Sequence, residues 1–199
     1  MTKARDIADG QSVDTTAFLT SDSTLNPANL DDTGTIPSQL LAGVGGGITE
    51  VDQWVVTSNF SGDANPLTTN WARMTGFEKI GTGMTESSGV FTFPSTGIYL
   101  IHFQVSYGNN VGDDRNIGTQ IELYDGSTFN NVGAQEGALP RNTGATWYGN
   151  QTVRAVVDIT DTNVNTLRVK VSTMLDQTDW QCEASTFKTG IQFIRLGDT

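Results

Sequence analysis

The stretch Gly89–Tyr107, GVFTFPSTGIYLIHFQVSY, predicts a strand, a turn at Pro-Ser-Thr-Gly and a second, longer strand. Side chains of a strand alternate between its two faces, so residues two apart share a face. After Gly97 the odd positions are all apolar or aromatic: Tyr99, Ile101, Phe103, Val105 and Tyr107. This face is therefore predicted to line the core of a β-sandwich.

The opposite face of the same strand changes character along its length. It begins apolar at Ile98 and Leu100 and turns polar at His102, Gln104 and Ser106. An outward face that is apolar at one end indicates a cover, because contiguous exposed apolar surface marks contact sites. A neighbouring subunit is favoured over a loop of the same chain. Ile98, Leu100 and His102 are therefore the candidate subunit-interface residues.

From Ile48 onward the sequence is typical of an all-β fold. Short stretches alternate apolar and polar residues with no helical interlude, and 22 glycines and a charged fraction of 17% suit strands joined by polar turns. Asn109 to Arg115 is predicted as a polar loop, and Phe187, Ile191 and Phe193 as the inward set of the last strand. The pattern predicts an antiparallel jelly-roll sandwich.

The first 47 residues differ from the rest. They contain one aromatic residue, Phe18, and end in the glycine run Gly43–Gly47. Such a segment cannot bury enough apolar surface to fold alone. We expect residues 1–47 to be an extended N-terminal attachment arm or shaft and residues 48–199 to be the jelly-roll head domain. An unstructured tail is the alternative for the arm.

Charge and hydropathy exclude several classes of partner. A formal net charge of −11 disfavours nucleic acid and anionic membranes, since both need clustered Lys and Arg. No apolar run reaches the length of a membrane-spanning helix, and the opening MTKARDIADGQSV has no apolar segment typical of a secretory signal. We therefore expect the protein to be made in a cytoplasm and not to insert into a membrane.

The residues that usually carry catalysis or bind metals are sparse. His102 is the only histidine, and a hydrogen-bonded histidine at a subunit contact is favoured over a triad or metal ligand. Cys182 has no Cys or His at ligand spacing, and Asp113-Asp114 is more typical of a turn than of a calcium loop. We predict no catalytic, cofactor-binding or metal residues and no enzyme activity.

One pair of aromatic residues is a candidate binding site. Trp147 and Tyr148 lie between Gly144 and Gly149, and hence near a loop. An aromatic ring can stack on a sugar, so the pair is a candidate ligand platform. Packing within the core or between subunits is the alternative.

A pattern spread over the head resembles a known family. It resembles the complement-type globular head, the jelly roll shared with the tumour-necrosis-factor family, in Gly89, Phe91, Pro94, Gly97, Tyr99, Phe187 and Gly190. The resemblance covers roughly residues 48–196 and implies a homotrimer that binds partners and does not catalyse. Thr92-Phe93 stands where many relatives carry a cysteine, so no ligand site is carried over.

The arm carries a second resemblance. The opening TKARDIAD, together with Asn26–Leu30 and Gly34–Pro37, resembles the starts of tail-fibre and appendage proteins of tailed bacteriophages, marine ones especially. This implies a viral structural protein found in the virion and made in the host cytoplasm. Its arm would bind other virion proteins, and its head would mediate host attachment through a surface glycan or protein receptor. A free soluble trimeric carbohydrate- or protein-binding module is the alternative.

Overall fold

The computed structural model describes residues 47–77, 79–109, 112–142, 147–174 and 178–199. These residues form strands, turns and bends, and no helix. The predicted all-β class is therefore confirmed. Residues 1–46 lie outside the described residues, so the attachment arm stays a prediction. None of the described residues belongs to a helix with the length and apolar character needed to cross a membrane.

The described part of the chain contains twelve strands. They are β1 Val51–Val56, β2 Phe60–Ser61, β3 Trp71–Arg73, β4 Thr85–Ser87, β5 Val90–Thr92, β6 Gly97–Asn109, β7 Gly112–Tyr124, β8 Phe129–Asn142, β9 Trp147–Ile159, β10 Thr166–Thr173, β11 Asp179–Gln181 and β12 Gly190–Gly197.

Two antiparallel sheets make up the sandwich. The first, called the β6 sheet, runs β9-β6-β12-β1-β3. Because β9 pairs with all of β6, from Gly97 to Asn109, the strands β11 and β12 share the other edge of β6 end to end. The second, called the β7 sheet, runs β4-β5-β10-β7-β8. Neighbours such as β6 and β12 are far apart in sequence, as a jelly roll requires.

The core lies between the two sheets and confirms the predicted inward face of β6. All five odd positions of that strand are at most 5% exposed, and Phe103 is 1% exposed. Aromatic rings fill the middle of the sandwich, with Phe93 4.9 Å from Tyr99 and Phe91 5.2 Å from Phe193 between ring centroids. Aromatic contacts at these separations, of which Phe93–Tyr99 is edge-on, stabilise a core beyond the area they bury.

The prediction that Phe187 is one of the core-facing residues of the last strand is wrong. Strand β12 begins only at Gly190, and Phe187 lies half-buried in the preceding segment. Its ring lies 6.0 Å from that of His102, on the outer face of the β6 sheet. Ile191 and Phe193 are fully buried, as predicted. The segment before β12 therefore folds back over the outer face.

The predicted polar loop at 109–115 is mostly strand. Strand β6 continues to Asn109, and β7 begins at Gly112. The sequence pattern also gave no sign of β8, Phe129–Asn142, which pairs with β7 at the edge of its sheet. Edge strands and strand ends face water on more than one side, so they do not need the apolar alternation that identifies a strand in sequence.

Candidate functional site

A row of apolar side chains crosses the outer face of the β6 sheet. Antiparallel pairing places residues directly opposite one another on the same face. The register sets Leu100 of β6 opposite Val156 of β9 and Ile194 of β12, and it continues from Ile194 to Val51 and from Val51 to Ile80. We call these five residues the apolar row.

Two of the five members of the apolar row are open to solvent. Val156 is 63% exposed and Ile80 is 48% exposed, whereas Val51, between its neighbours, is 8% exposed. Leu100 and Ile194 are half-buried, and Ile98 lies half-buried two residues before Leu100. Single exposed apolar residues are common on soluble proteins, but a contiguous set across four strands marks a contact surface.

Two buried carboxylates hold Ile80 in this row. Glu50 accepts hydrogen bonds from the backbone N–H groups of Thr82, at 3.0 Å, and Gly83, at 2.6 Å. Asp52, fully buried, accepts one from the backbone N–H of Met84 at 2.7 Å. These bonds tie the segment after Ile80 to β1, so the end of the row is fixed by the fold.

His102 lies on the same outer face, one strand repeat from Leu100. It is opposite Arg154 of β9 and Gln192 of β12, and Phe187 packs against its ring. Its Nε2 atom is buried and has no hydrogen-bond partner among the described residues. Burial lowers the pKa of His102 below its usual 6.5, the nearby Arg154 charge lowers it further, and a hydrogen bond with Gln192 raises it. The ring is therefore held neutral beside the apolar row.

Acid is expected to destabilise the wild-type chain more than a His102→Gln variant. Because the folded-state pKa of His102 is depressed below 6.5, the unfolded chain takes up its proton first as pH falls. The stability that His102 contributes is complete above its unfolded pKa and is lost between that value and the lower folded one. Urea unfolding at about pH 7.5 and about pH 5.5 measures the difference. Equal pH dependence in the two proteins would contradict this assignment.

The outer face of the β7 sheet has a different character. Glu122 of β7 pairs with Arg168 and Lys170 of β10, each at 2.6 Å. The Arg168 guanidinium also lies 3.9 Å from the ring centre of Phe129. A face with such charged pairs is suited to water. The apolar row is therefore a feature of one side of the sandwich.

The candidate platform residues lie at the start of β9, at the other end of the β6 sheet. Trp147 is 48% exposed and Tyr148 is 70% exposed. Because they are successive residues of a strand, their side chains project to opposite faces. Tyr148, opposite Gly108, lines an open groove on the outer face, whereas Trp147 does not line it. The structure does not bring the two rings together.

The groove, called the polar trough, has a volume of about 450 Å³. Its floor is low because, on the outer face, β6 carries only the small residues Ser106 and Gly108 there. Larger side chains line the trough on both sides of β6. Tyr148 and Asn150 lie on β9, and Gln181 lies on β11. Lys188, in the segment before β12, closes one side. The trough is thus a channel between neighbouring strands.

The wall of the polar trough is fixed by hydrogen bonds. Ser106 donates its N–H to Thr189 Oγ1 at 3.3 Å and its hydroxyl to the Lys188 carbonyl at 3.2 Å. Thr189, fully buried, donates to the Gln181 carbonyl at 2.8 Å. These bonds join β6, β11 and the segment before β12, so the trough keeps its shape without a ligand.

Neither the single cysteine nor the carboxylates of the described residues form a reactive or metal-binding centre. Cys182 is partly buried, and burial raises the pKa of its thiol to about 11, which disfavours the reactive thiolate. Within the described ranges, no group of three or more His, Cys, Asp or Glu side chains is placed to hold a metal ion.

Solved structures of the same fold come from the tumour-necrosis-factor family. Murine APRIL in a crystal at pH 5.0 matches with a TM-score of 0.55 and 16% identity, over 74% of this chain and 98% of APRIL. Eiger TNF from S. frugiperda matches with a TM-score of 0.53 and 14% identity, over 75% of this chain and 93% of Eiger. These similarities show a tumour-necrosis-factor-like jelly roll. No protein-family model and no curated protein matches the sequence.

Proposed function

We propose that this chain is the subunit of a homotrimeric bacteriophage fibre or appendage, with a jelly-roll head that binds and an arm that attaches to the particle. The observation that carries the trimer in this proposal is the apolar row on the outer face of the β6 sheet. A second copy is the cover that we favour, because the row runs continuously from β9 across the sheet to Ile80 and has a neutral histidine beside it.

The predicted interface residues support this use of the face. Ile98, Leu100 and His102 lie together on it, and Val156 and Ile194 extend the apolar surface across β9 and β12. A heterologous contact between identical chains closes into a ring when its rotation fits. The motif resemblance favours a ring of three. Trimerisation would raise weak contacts between each head and a host receptor to useful avidity.

The virion role comes from the arm. The low apolar content before Gly47 suits a segment ordered by wrapping round other virion proteins. The opening of the arm resembles phage fibre proteins, and this resemblance is the reason to propose virion proteins as the partners of the arm. A free soluble trimeric carbohydrate- or protein-binding module is the second candidate, and it is favoured by the polar trough, which would serve binding without any arm.

Removing residues 1–47 separates the two roles. We expect the full chain and the shortened chain each to have three times their own chain mass by light scattering, because the apolar row lies within the head. We also expect only the full chain to be incorporated into phage particles. A shortened chain that still enters particles would contradict the virion role, and a monomeric full chain at two concentrations would contradict the trimer.

A further inference from the structure

We propose that the polar trough binds a neutral saccharide, with Tyr148 as the stacking surface and the side chains of Asn150, Ser106 and Gln181 as hydrogen-bonding partners. The inference deepens the proposed binding role of the head and rests on it. It assigns a ligand class and a site, both on the outer face of the β6 sheet.

The ring of Tyr148 is presented as a platform. It is 70% exposed, yet it lies against the backbone of Gly108, where an added Cβ would meet the ring Cδ1 at 2.9 Å and Cε1 at 3.1 Å. Glycine at 108 therefore lets the ring rest on the strand. A ring supported on one side and open on the other loses little freedom when a sugar stacks on it, and pre-organisation of this kind raises affinity.

Three polar side chains that can hydrogen-bond to sugar hydroxyls lie in one row beside the Tyr148 ring. Gln181, Ser106 and Asn150 lie directly opposite one another on β11, β6 and β9. Each amide offers both a donor and an acceptor, which suits the paired hydroxyls of a sugar. Asn150 and Tyr148 are both exposed and both line the trough, so their polar groups can reach a ligand.

The charges around the trough indicate a neutral ligand. The Lys188 ammonium is paired with Glu183 at 2.8 Å, so it is already compensated. Asp179, two residues before Gln181 on β11, lies opposite Gly108 and adds a negative charge at that end of the trough. With a formal net charge of −11 on the chain, an anionic ligand would be repelled.

The trough is separate from the apolar row. Ser106 lies six residues beyond Leu100 on β6, which is about 20 Å along a strand. Between them the outer face carries His102 and Gln104, and the Gln104 amide donates to the Phe187 carbonyl at 2.9 Å. Saccharide binding in the proposed trimer therefore requires that the second copy covers the apolar row and stops short of the trough.

The test begins with the full chain on an array of neutral oligosaccharides of glucose, galactose, mannose and N-acetylglucosamine. Titration calorimetry with the best-bound oligosaccharide then compares variants. Tyr148→Ala is expected to weaken binding by about tenfold or more, since it removes the stacking surface. Tyr148→Phe keeps the ring and should lose only about threefold.

Three further variants locate the site. Asn150→Ala removes one amide and is expected to weaken binding about fivefold. Gly108→Ala keeps the tyrosine but displaces its ring, and should weaken binding nearly as much as Tyr148→Ala. Trp147→Ala is the matched control, since it removes a neighbouring exposed ring on the opposite face, and affinity should not change. Thermal melting confirms that each variant is folded.

The proposal is overturned if the array shows no binding, or if Tyr148→Ala and Gly108→Ala bind as the wild type does. It is also overturned if Tyr148→Ala changes the solution mass, because the trough would then be a contact between subunits. The mass of the same wild-type sample reports on the trimer independently. A trimer without saccharide binding rejects this inference and leaves the proposed assembly standing.

Discussion

Replacing Phe103 with alanine is expected to lower the free energy of unfolding of the head by about 3–5 kcal/mol. Phe103 is 1% exposed at the middle of β6, between Val153 of β9 and Ile191 of β12, so its removal leaves a cavity that the two sheets cannot close. Chemical unfolding of the wild type and the variant, followed by tryptophan fluorescence, measures the loss.

Phe129→Ala is the matched control for this experiment. Phe129 is half-buried at the start of β8, and its ring lies under Arg168 and not in the core. Its loss should cost less than about 2 kcal/mol, because little buried volume disappears. A loss below about 1 kcal/mol for Phe103→Ala would mean that the odd positions of β6 do not carry the core.

Val156→Asp is expected to convert a trimer into monomers. Val156 is 63% exposed in the single chain, so the charge can remain in water there and the fold is retained. In the assembly the same carboxylate would be buried against apolar side chains without a partner, at a cost of at least about 3 kcal/mol per subunit. Light scattering should show a fall from three times the 21.4 kDa chain mass to a single chain mass.

Met174→Asp is the control that introduces the same charge at an equally exposed apolar residue outside the apolar row. Met174 is 62% exposed, almost the same as Val156, but it lies just after β10, outside the β6 sheet. The mass of this variant should equal that of the wild type. If Val156→Asp stays trimeric while Met174→Asp dissociates, the subunit contact lies at the other sheet and the apolar row has another role.

In the proposed trimer, the two surfaces would divide one face of the molecule between assembly and binding. The apolar row lies at the end of β6 near Gly97, and the polar trough lies at the end near Asn109. In a closed ring the three troughs would be presented together, so a weak affinity of each for a saccharide is multiplied.

Part of the candidate site could be read from the sequence. Ile98, Leu100 and His102 are neighbours on one strand, so the two-residue period of a strand was enough to put them on one face. Tyr148 was identifiable as an aromatic residue near a loop. That Trp147 faces the other way follows from the same period, once β9 is known to begin at Trp147.

The all-β class and the inward face of β6 could be predicted from sequence, because alternation along a strand is a local property. The apolar row and the polar trough exist only in the folded sandwich. Val156, Ile194 and Ile80 join Leu100, and Gln181 joins Asn150, only through the register between strands that are far apart in sequence. Register depends on the packing of the whole sandwich, so no local pattern encodes which distant residues share a row.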